Sequence, residues 1–200
     1  MPRVAGQVDE AKTEAILEAA AVLFGEKGLA ASMDEIARRA GVSKQTLYNR
    51  YASKAEIARA LAARRSDAIT APLRVGGDVE TVLTAMAASL IRRICHADKG
   101  ASLRGVALMS PEAPDLARAI YDAGPGESLR RIAAWLAEQD RAGRLNVPDP
   151  DHAAEMFSGM ALGHGHLRSL LGVPHPDADK VETRAAETAR RFIRAFSPQG

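Results

Sequence analysis

The chain reads as all-α: a three-helix head containing a helix-turn-helix, then an antiparallel helical domain, about nine helices in total. Three observations predict this class. Apolar residues recur at helical spacing through most of the 200 residues, and no alternating strand pattern of useful length appears. Ala is abundant while aromatics make up 4%, a bias toward helix over strand. Capping boxes, Gly stops and Pro punctuation bracket the periodic segments.

Residues 1–12 carry no apolar periodicity and read as a flexible arm. A helix starts at Thr13 and runs through Ile16, Leu17, Ala20, Leu23 and Phe24 to Lys27-Gly28. Ser32-Met33-Asp34-Glu35 is a capping box that opens a second helix with Ile36, Ala37 and Ala40 inward, stopped by Gly41. Ser43 caps a third helix with Leu47 and Tyr51 inward. A second box, Ser53-Lys54-Ala55-Glu56, opens a helix that runs to about Ala71 and stops at Pro72.

Val75-Gly76-Gly77 is the loop leaving this region. Asp78–His96 is helical, with Val79, Val82, Leu83, Met86, Leu90 and Ile94 on one side. Leu103–Ser110 is a shorter helical segment. From Pro114 to Ala142 the pattern is helical, but Gly124-Pro125-Gly126 makes it either one kinked helix or two. Asp151 caps a helix to about Leu171, and Asp177–Phe196 is the last, with Val181, Ala185, Ala189, Phe192 and Phe196 inward. The organisation is an arm at 1–12, a head at 13–54, a connecting helix and loop at 55–75 and a C-terminal domain at 76–200.

Hydrophobic residues make up 46% and charged residues 26%, ordinary for a globular chain long enough to bury its own core. The one cysteine, Cys95, excludes an internal disulfide and a zinc finger and suits a reducing cytoplasm. The longest run without a charged side chain, Met156–Leu167, is twelve residues, short of the roughly twenty a membrane span needs. Asp9, Glu10 and Glu14 break any signal-peptide pattern.

Net charge is +2, but it is unevenly placed. Arg38 to Arg65 holds eight basic residues against Glu56 alone, +7 in 28 residues; residues 66–200 hold sixteen basic and seventeen acidic. A local basic block on a near-neutral chain points to a polyanion, or else to a solvated helix face.

The stretch from Glu35 to Tyr51 decides for the polyanion. A steep crossing of two short helices needs a small residue, met by Ala37, and the turn needs positive φ, met by Gly41. Val42 and Leu47 plug the angle, and Lys44, Gln45, Thr46, Tyr48, Asn49 and Arg50 face outward. Such a helix fits the DNA major groove.

Thr13–Lys54 resembles the DNA-binding domain of the TetR family of bacterial regulators. The residues that carry the resemblance are Ala19–Gly28, Met33–Ala37, Gly41–Tyr48 and Tyr51-Ala52-Ser53-Lys54; Tyr51 departs from the family's usual Phe. The C-terminal domain resembles the AefR-like subgroup in Pro114–Pro125, Gly143-Arg144-Leu145 and Asp149–Phe157. The resemblance implies a homodimer, paired through the last two helices, on a palindromic double-stranded operator. It also implies a C-terminal site for a small effector, and most often repression. By position, it places Lys44, Gln45 and Asn49 at base edges and Thr46, Tyr48 and Lys54 at phosphates. Arg50 serves either, and Ser43 or the amides beside it meet a phosphate.

Other constellations carry less. His164 and His166, at i and i+2, point to different sides and make a poor metal pair. Cys95 is read as a structural thiol. Gly159, Gly163 and Gly165 cost helix stability and are read as a close crossing of helices. No phosphate loop, nucleophile elbow or zinc-protease motif appears, so neither an enzyme nor a cofactor is expected. Met86, Leu103, Met109, Tyr121, Trp135, Met156, Met160 and His164 are candidates for an effector pocket, bulky and adaptable in an Ala-rich domain. The expected ligand is a small hydrophobic organic molecule. The alternative is a constitutive DNA-binding regulator or adaptor with a filled core.

Overall fold

The computed structural model describes residues 5–95, 106–107, 110–176 and 178–198, and among these every regular element is helical. The chain divides into two units, residues 1–63 with 98–123 and residues 64–97 with 124–200.

In the first unit, α1 (Ala5–Lys27) is followed by a 3-10 turn at Gly28–Ala30, α2 (Met33–Arg39) and α3 (Lys44–Tyr48). The first half of α4 (Lys54–Ile69) completes the core. Ile16, Ala20 and Leu23 of α1, Ile36 and Ala37 of α2, Leu47 of α3 and Ile57 and Leu61 of α4 form one buried cluster. Helix α1 starts ahead of the expected Thr13, so residues 5–12 are helix rather than arm. Ala11 and Lys12 are good helix formers and exposed, so no apolar stripe marks that turn. The unit also holds α7 (Pro114–Tyr121), where Pro114 occupies the first turn as expected.

In the second unit, α5 (Ala71–Val75) and α6 (Val79–Cys95) precede α8 (Glu127–Arg141), α9 (Pro150–Leu162), α10 (Gly165–Leu171) and α11 (Val181–Ala195). The stripe Val82, Leu83, Met86, Leu90 and Ile91 of α6 is buried at the centre. It clusters with Ile132 and Leu136 of α8, Phe157 of α9, and Ala185, Ala189 and Phe192 of α11. The rings of Phe157 and Phe192 meet edge-on, 5.2 Å between centroids at 78°.

Several boundaries differ from the sequence reading, each for a local reason. Pro72 does not stop α4; it sits in the first turn of α5, and α4 ends at Ile69. The stretch Asp122–Gly126 is one π-helical turn, neither a simple kink nor a break. Pro125 lacks an N–H and its ring crowds the carbonyl four residues back, and a wider turn relieves both. Asp149, not Asp151, caps α9, accepting from the His152 amide at 3.0 Å. Pro150 then takes the first helical position, where a missing N–H costs nothing.

The expected helix from 151 to 171 is split at Gly163, whose φ of +49° ends α9 before α10 begins. Helix α11 begins at Val181, later than Asp177. The two splits, at Thr70 and Gly163, raise the helix count above nine among the described residues. Most of the Leu103–Ser110 segment lies outside them.

Within the second unit α4 is tied to α8 by buried hydroxyls. The Ser128 Oγ lies 2.9 Å from Ser66 Oγ and 3.2 Å from the Gly124 carbonyl. One hydroxyl carries one hydrogen, so both contacts are satisfied when Ser66 donates to Ser128 and Ser128 to Gly124. Above them the Arg131 guanidinium donates to Asp67 at 2.6 Å and Thr70 at 3.0 Å.

Candidate nucleic-acid interface

The turn between α2 and α3 is built from both ends. At the start of α2, the Glu35 amide donates to Ser32 Oγ at 3.2 Å and the Ser32 amide donates to the Glu35 carboxylate at 2.8 Å, the reciprocal box read from the sequence. Lys27 Nζ sits 2.5 Å from the same carboxylate. The Lys27 ammonium and the Ser32 donors together hold the Glu35 carboxyl down at about 2.

At the end of α2, Gly41 takes a φ of +65°. Its amide donates to the Arg38 carbonyl and the Val42 amide to the Ala37 carbonyl, at 3.3 and 3.0 Å. This is a Schellman closure, and it needs a residue without a Cβ at the left-handed position. Ser43 then caps α3, accepting from the Thr46 amide at 3.1 Å. Leu47 is fully buried beneath, so the register of the five-residue α3 is pinned and its outer face is set.

On that face Lys44, Gln45, Tyr48 and Asn49 are exposed, and Ser43 is exposed at its start. Gln45 Nε2 donates to Asn49 Oδ1 at 2.7 Å across one helical turn. Ser43 and Thr46 share a hydroxyl contact of 2.8 Å. Lys44 Nζ lies 2.5 Å from Asp34 Oδ2, an ion pair across the turn that the sequence reading missed. The two residues are ten positions apart, and only the Gly41 turn brings them together.

Two candidates sit elsewhere. Arg50 is half-buried and its guanidinium donates to Thr13 Oγ1 on α1 at 3.1 Å. Lys54 is half-buried at the start of α4, where the Glu56 amide donates to Ser53 Oγ as expected. The second capping box closes differently, with the Glu56 carboxylate accepting from the Ala52 amide at 2.7 Å. Of the basic block, Arg38, Arg39, Lys44, Arg59 and Arg64 are exposed.

The effector candidates scatter. Met86 is fully buried in the core of the second unit, and Trp135 packs half-buried against the same cluster. Met156, Met160, Tyr121 and His164 are exposed. Leu103 and Met109 lie outside the described residues. A groove of about 780 Å³ lies along Thr81, Thr84, Ala88 and Arg92 of α6, with Glu182 and Ala186 of α11. A smaller cavity of about 180 Å³ is lined by Ile94, Cys95, Arg168, Ser169 and His175. None of the six described candidates lines either space. Among the described residues no group of three His, Cys, Asp or Glu is placed to hold a metal, and no helix is long and apolar enough to cross a membrane.

The three glycines have three different reasons. A Cβ on Gly165 would meet Ile94 of α6 at 2.8 Å, so the close approach is within the chain. Gly163 supplies positive φ, and a Cβ on Gly159 would meet nothing within 4 Å.

Comparison with known proteins agrees with this architecture. Residues 16–61 match bacterial regulatory proteins of the tetR family, and residues 81–198 match the AefR-like transcriptional repressor C-terminal domain. The HTH-type transcriptional repressor KstR2 of Mycobacterium tuberculosis is 47% identical over 58 residues, which is 28% of this chain and 28% of that protein. The flavonoid-responsive regulator FrrA is 31% identical, with 94% of this chain and 98% of that one covered and a TM-score of 0.69. A TetR-family structure from Mesorhizobium loti MAFF303099 has the same fold, at 24% identity, the same coverage and a TM-score of 0.77. The chain therefore belongs to the TetR family, a DNA-binding transcriptional regulator of the repressor type that joins a helix-turn-helix head to an AefR-like C-terminal domain.

Proposed function

We propose that the protein is a cytoplasmic, homodimeric repressor that leaves its operator when a small hydrophobic molecule binds the C-terminal domain. The observation that carries this reading is the outer face of α3: a cluster of exposed polar and cationic groups on a helix whose register is fixed by Ser43, Gly41 and Leu47. Lys44, Gln45 and Asn49 are assigned to base edges and Ser43, Thr46, Tyr48 and Lys54 to phosphates. Arg50 is assigned to bracing α3 on α1, since its guanidinium already donates to Thr13.

Two heads must meet successive major grooves, roughly 34–36 Å apart, on a palindromic operator. The proposed dimer contact is α9, α10 and α11 with their copies. Met156 and Met160 on α9 and Leu167 and Leu171 on α10 are exposed at i, i+4 spacing, and Gly159 between them has open space. The effector class rests on FrrA, a flavonoid-responsive relative. An effector that prefers a conformation with misplaced heads lowers operator affinity by linkage. No catalytic role is assigned to any residue.

Full burial of Met86 in the core favours a second reading, a constitutive regulator without an effector. One experiment separates the two. A duplex is selected from a random library by the wild-type protein and then challenged with a panel of flavonoids and related aromatic compounds. Release with a change in Trp135 fluorescence supports the first reading, and release by none of the panel supports the second. Light scattering that shows a monomer at micromolar concentration overturns the dimer.

A further inference from the structure

We propose that Asp34 is a specificity-determining residue of the head: it holds Lys44 for base reading and penalises the phosphate contacts that every sequence offers. This deepens the assignment of Lys44 to a base edge and rests on it.

Asp34 occupies the first turn of α2, and its carboxylate lies 2.5 Å from Lys44 Nζ at the start of α3. Both side chains are largely exposed, 55% for Asp34 and 66% for Lys44. An exposed ion pair adds little to stability, so folding alone does not account for it. Its effects are on position and on charge.

Lysine is a flexible four-carbon arm ending in a compact cation, suited to any phosphate within reach. Left to itself, Lys44 at the edge of the groove would take backbone phosphates of any sequence, which adds affinity without discrimination. The Asp34 carboxylate removes that freedom by holding the ammonium across the α2–α3 turn. Held there, the ammonium stays with α3, the helix assigned to the groove, rather than swinging out to a phosphate. The O6 and N7 of guanine, side by side on the major-groove edge, offer two acceptors to one ammonium.

Asp34 also places a negative charge on the face that meets a polyanion. That charge opposes loose, phosphate-only docking more than seated docking, in which Lys44 has a base partner. It is the repulsive element that specificity requires alongside attraction. The neighbouring acid, Glu35, has a different task, since its carboxylate is taken up by Lys27 and Ser32.

The test uses the full-length protein, a duplex selected by the wild type from a random library, and a scrambled duplex of the same length and composition. Fluorescence anisotropy gives both affinities over a range of salt. Asp34→Asn is expected to bind the scrambled duplex about three- to tenfold more tightly and the selected duplex nearly as before, so the ratio between them falls. Its salt dependence on the scrambled duplex should steepen by about one released counterion.

Lys44→Gln should bring the ratio down to one common value whether residue 34 is Asp or Asn, because Asp34 acts through Lys44. Asp34→Glu, which keeps the charge, should recover part of the ratio. Equal shifts on both duplexes, or weakening of both with a lower melting temperature, overturn the proposal and leave Asp34 as a mere charge or a first-turn helix residue. A wild-type protein that enriches no duplex overturns the DNA-reading assignment itself, and the proposal with it.

Discussion

The two units of the chain encode their shapes over different distances. In the head, each turn is dictated by residues within six positions of one another: Ser32 with Glu35, Ala37 with Val42, Ser43 with Thr46. In the C-terminal unit, what a residue does depends on helices far along the chain. Gly165 is small because Ile94 is there, and Ser66 is buried because Ser128 meets it. Local encoding makes the head readable and tolerant of change elsewhere.

The largest expected effect tests whether the two units are energetically separate. Phe192 is fully buried and touches two other rings, so Phe192→Ala should cost about 3–5 kcal/mol of stability. Hydrogen exchange should rise across α6, α8, α9 and α11 and stay near wild type in α2 and α3. An equal rise in the head would mean that the two units unfold as one.

A pair of glycine variants sharpens the contrast within one segment. Gly165→Ala drives a methyl into Ile94 and should cost about 1–3 kcal/mol. Gly159→Ala has open space in a helix interior and should gain up to about 1 kcal/mol. Chemical denaturation of the two variants checks the signs; a loss at position 159 would show that the site is crowded by something outside the single chain.

Smaller again is Gly41→Ala, which forces a Cβ into the left-handed region at φ +65° and should cost about 1–2 kcal/mol. Its signature is weaker binding to every duplex, because the whole of α3 loses its anchor. A change in base preference with unchanged overall affinity would contradict the turn's role.

The smallest effect is on acid stability. The Glu35 carboxyl is held at about 2 in the folded head against an ordinary 4.5, so its contribution is complete above pH 4.5 and disappears as pH falls toward 2. Glu35→Gln should flatten the head's loss of stability across that window, read by denaturation at several pH values. An unchanged slope would place the acid sensitivity in the other carboxylates with lowered pKa, Asp78, Glu127 and Glu187 of the C-terminal unit.

The same distance rule explains what was legible in the sequence. The all-α class, the first capping box, the Gly41 turn and the Ser43 cap depend on residue types a few positions apart, so pattern reading reached them. The Asp149 cap is legible too, since Pro150 at the first helical position puts the cap one residue earlier than Asp151. The start of α1 at Ala5 left no apolar signal. The break at Gly163 was hidden because glycine serves both close packing and positive φ, and only the backbone decides between them. The Asp34–Lys44 pair was out of reach because nothing in the spacing of ten marks a contact that a turn creates. The effector site was least legible of all, since bulky flexible side chains suit a core, a surface stripe or a pocket equally, and the six described candidates divide between the first two.

The exposed methionines of α9 have a chemical consequence of their own. Thioether sulfur takes up one oxygen readily to give a sulfoxide, which is polar and chiral. Met86, with no surface, is shielded from peroxide, whereas Met156 and Met160 are 42% and 38% exposed. Oxidant therefore reaches these two before the core in a single chain, whereas pairing of α9 with its copy, as proposed above, would shield them as well. Sulfoxide on these two side chains thus reports time spent as a single chain, and reversing it takes two reductases, one for each sulfoxide epimer.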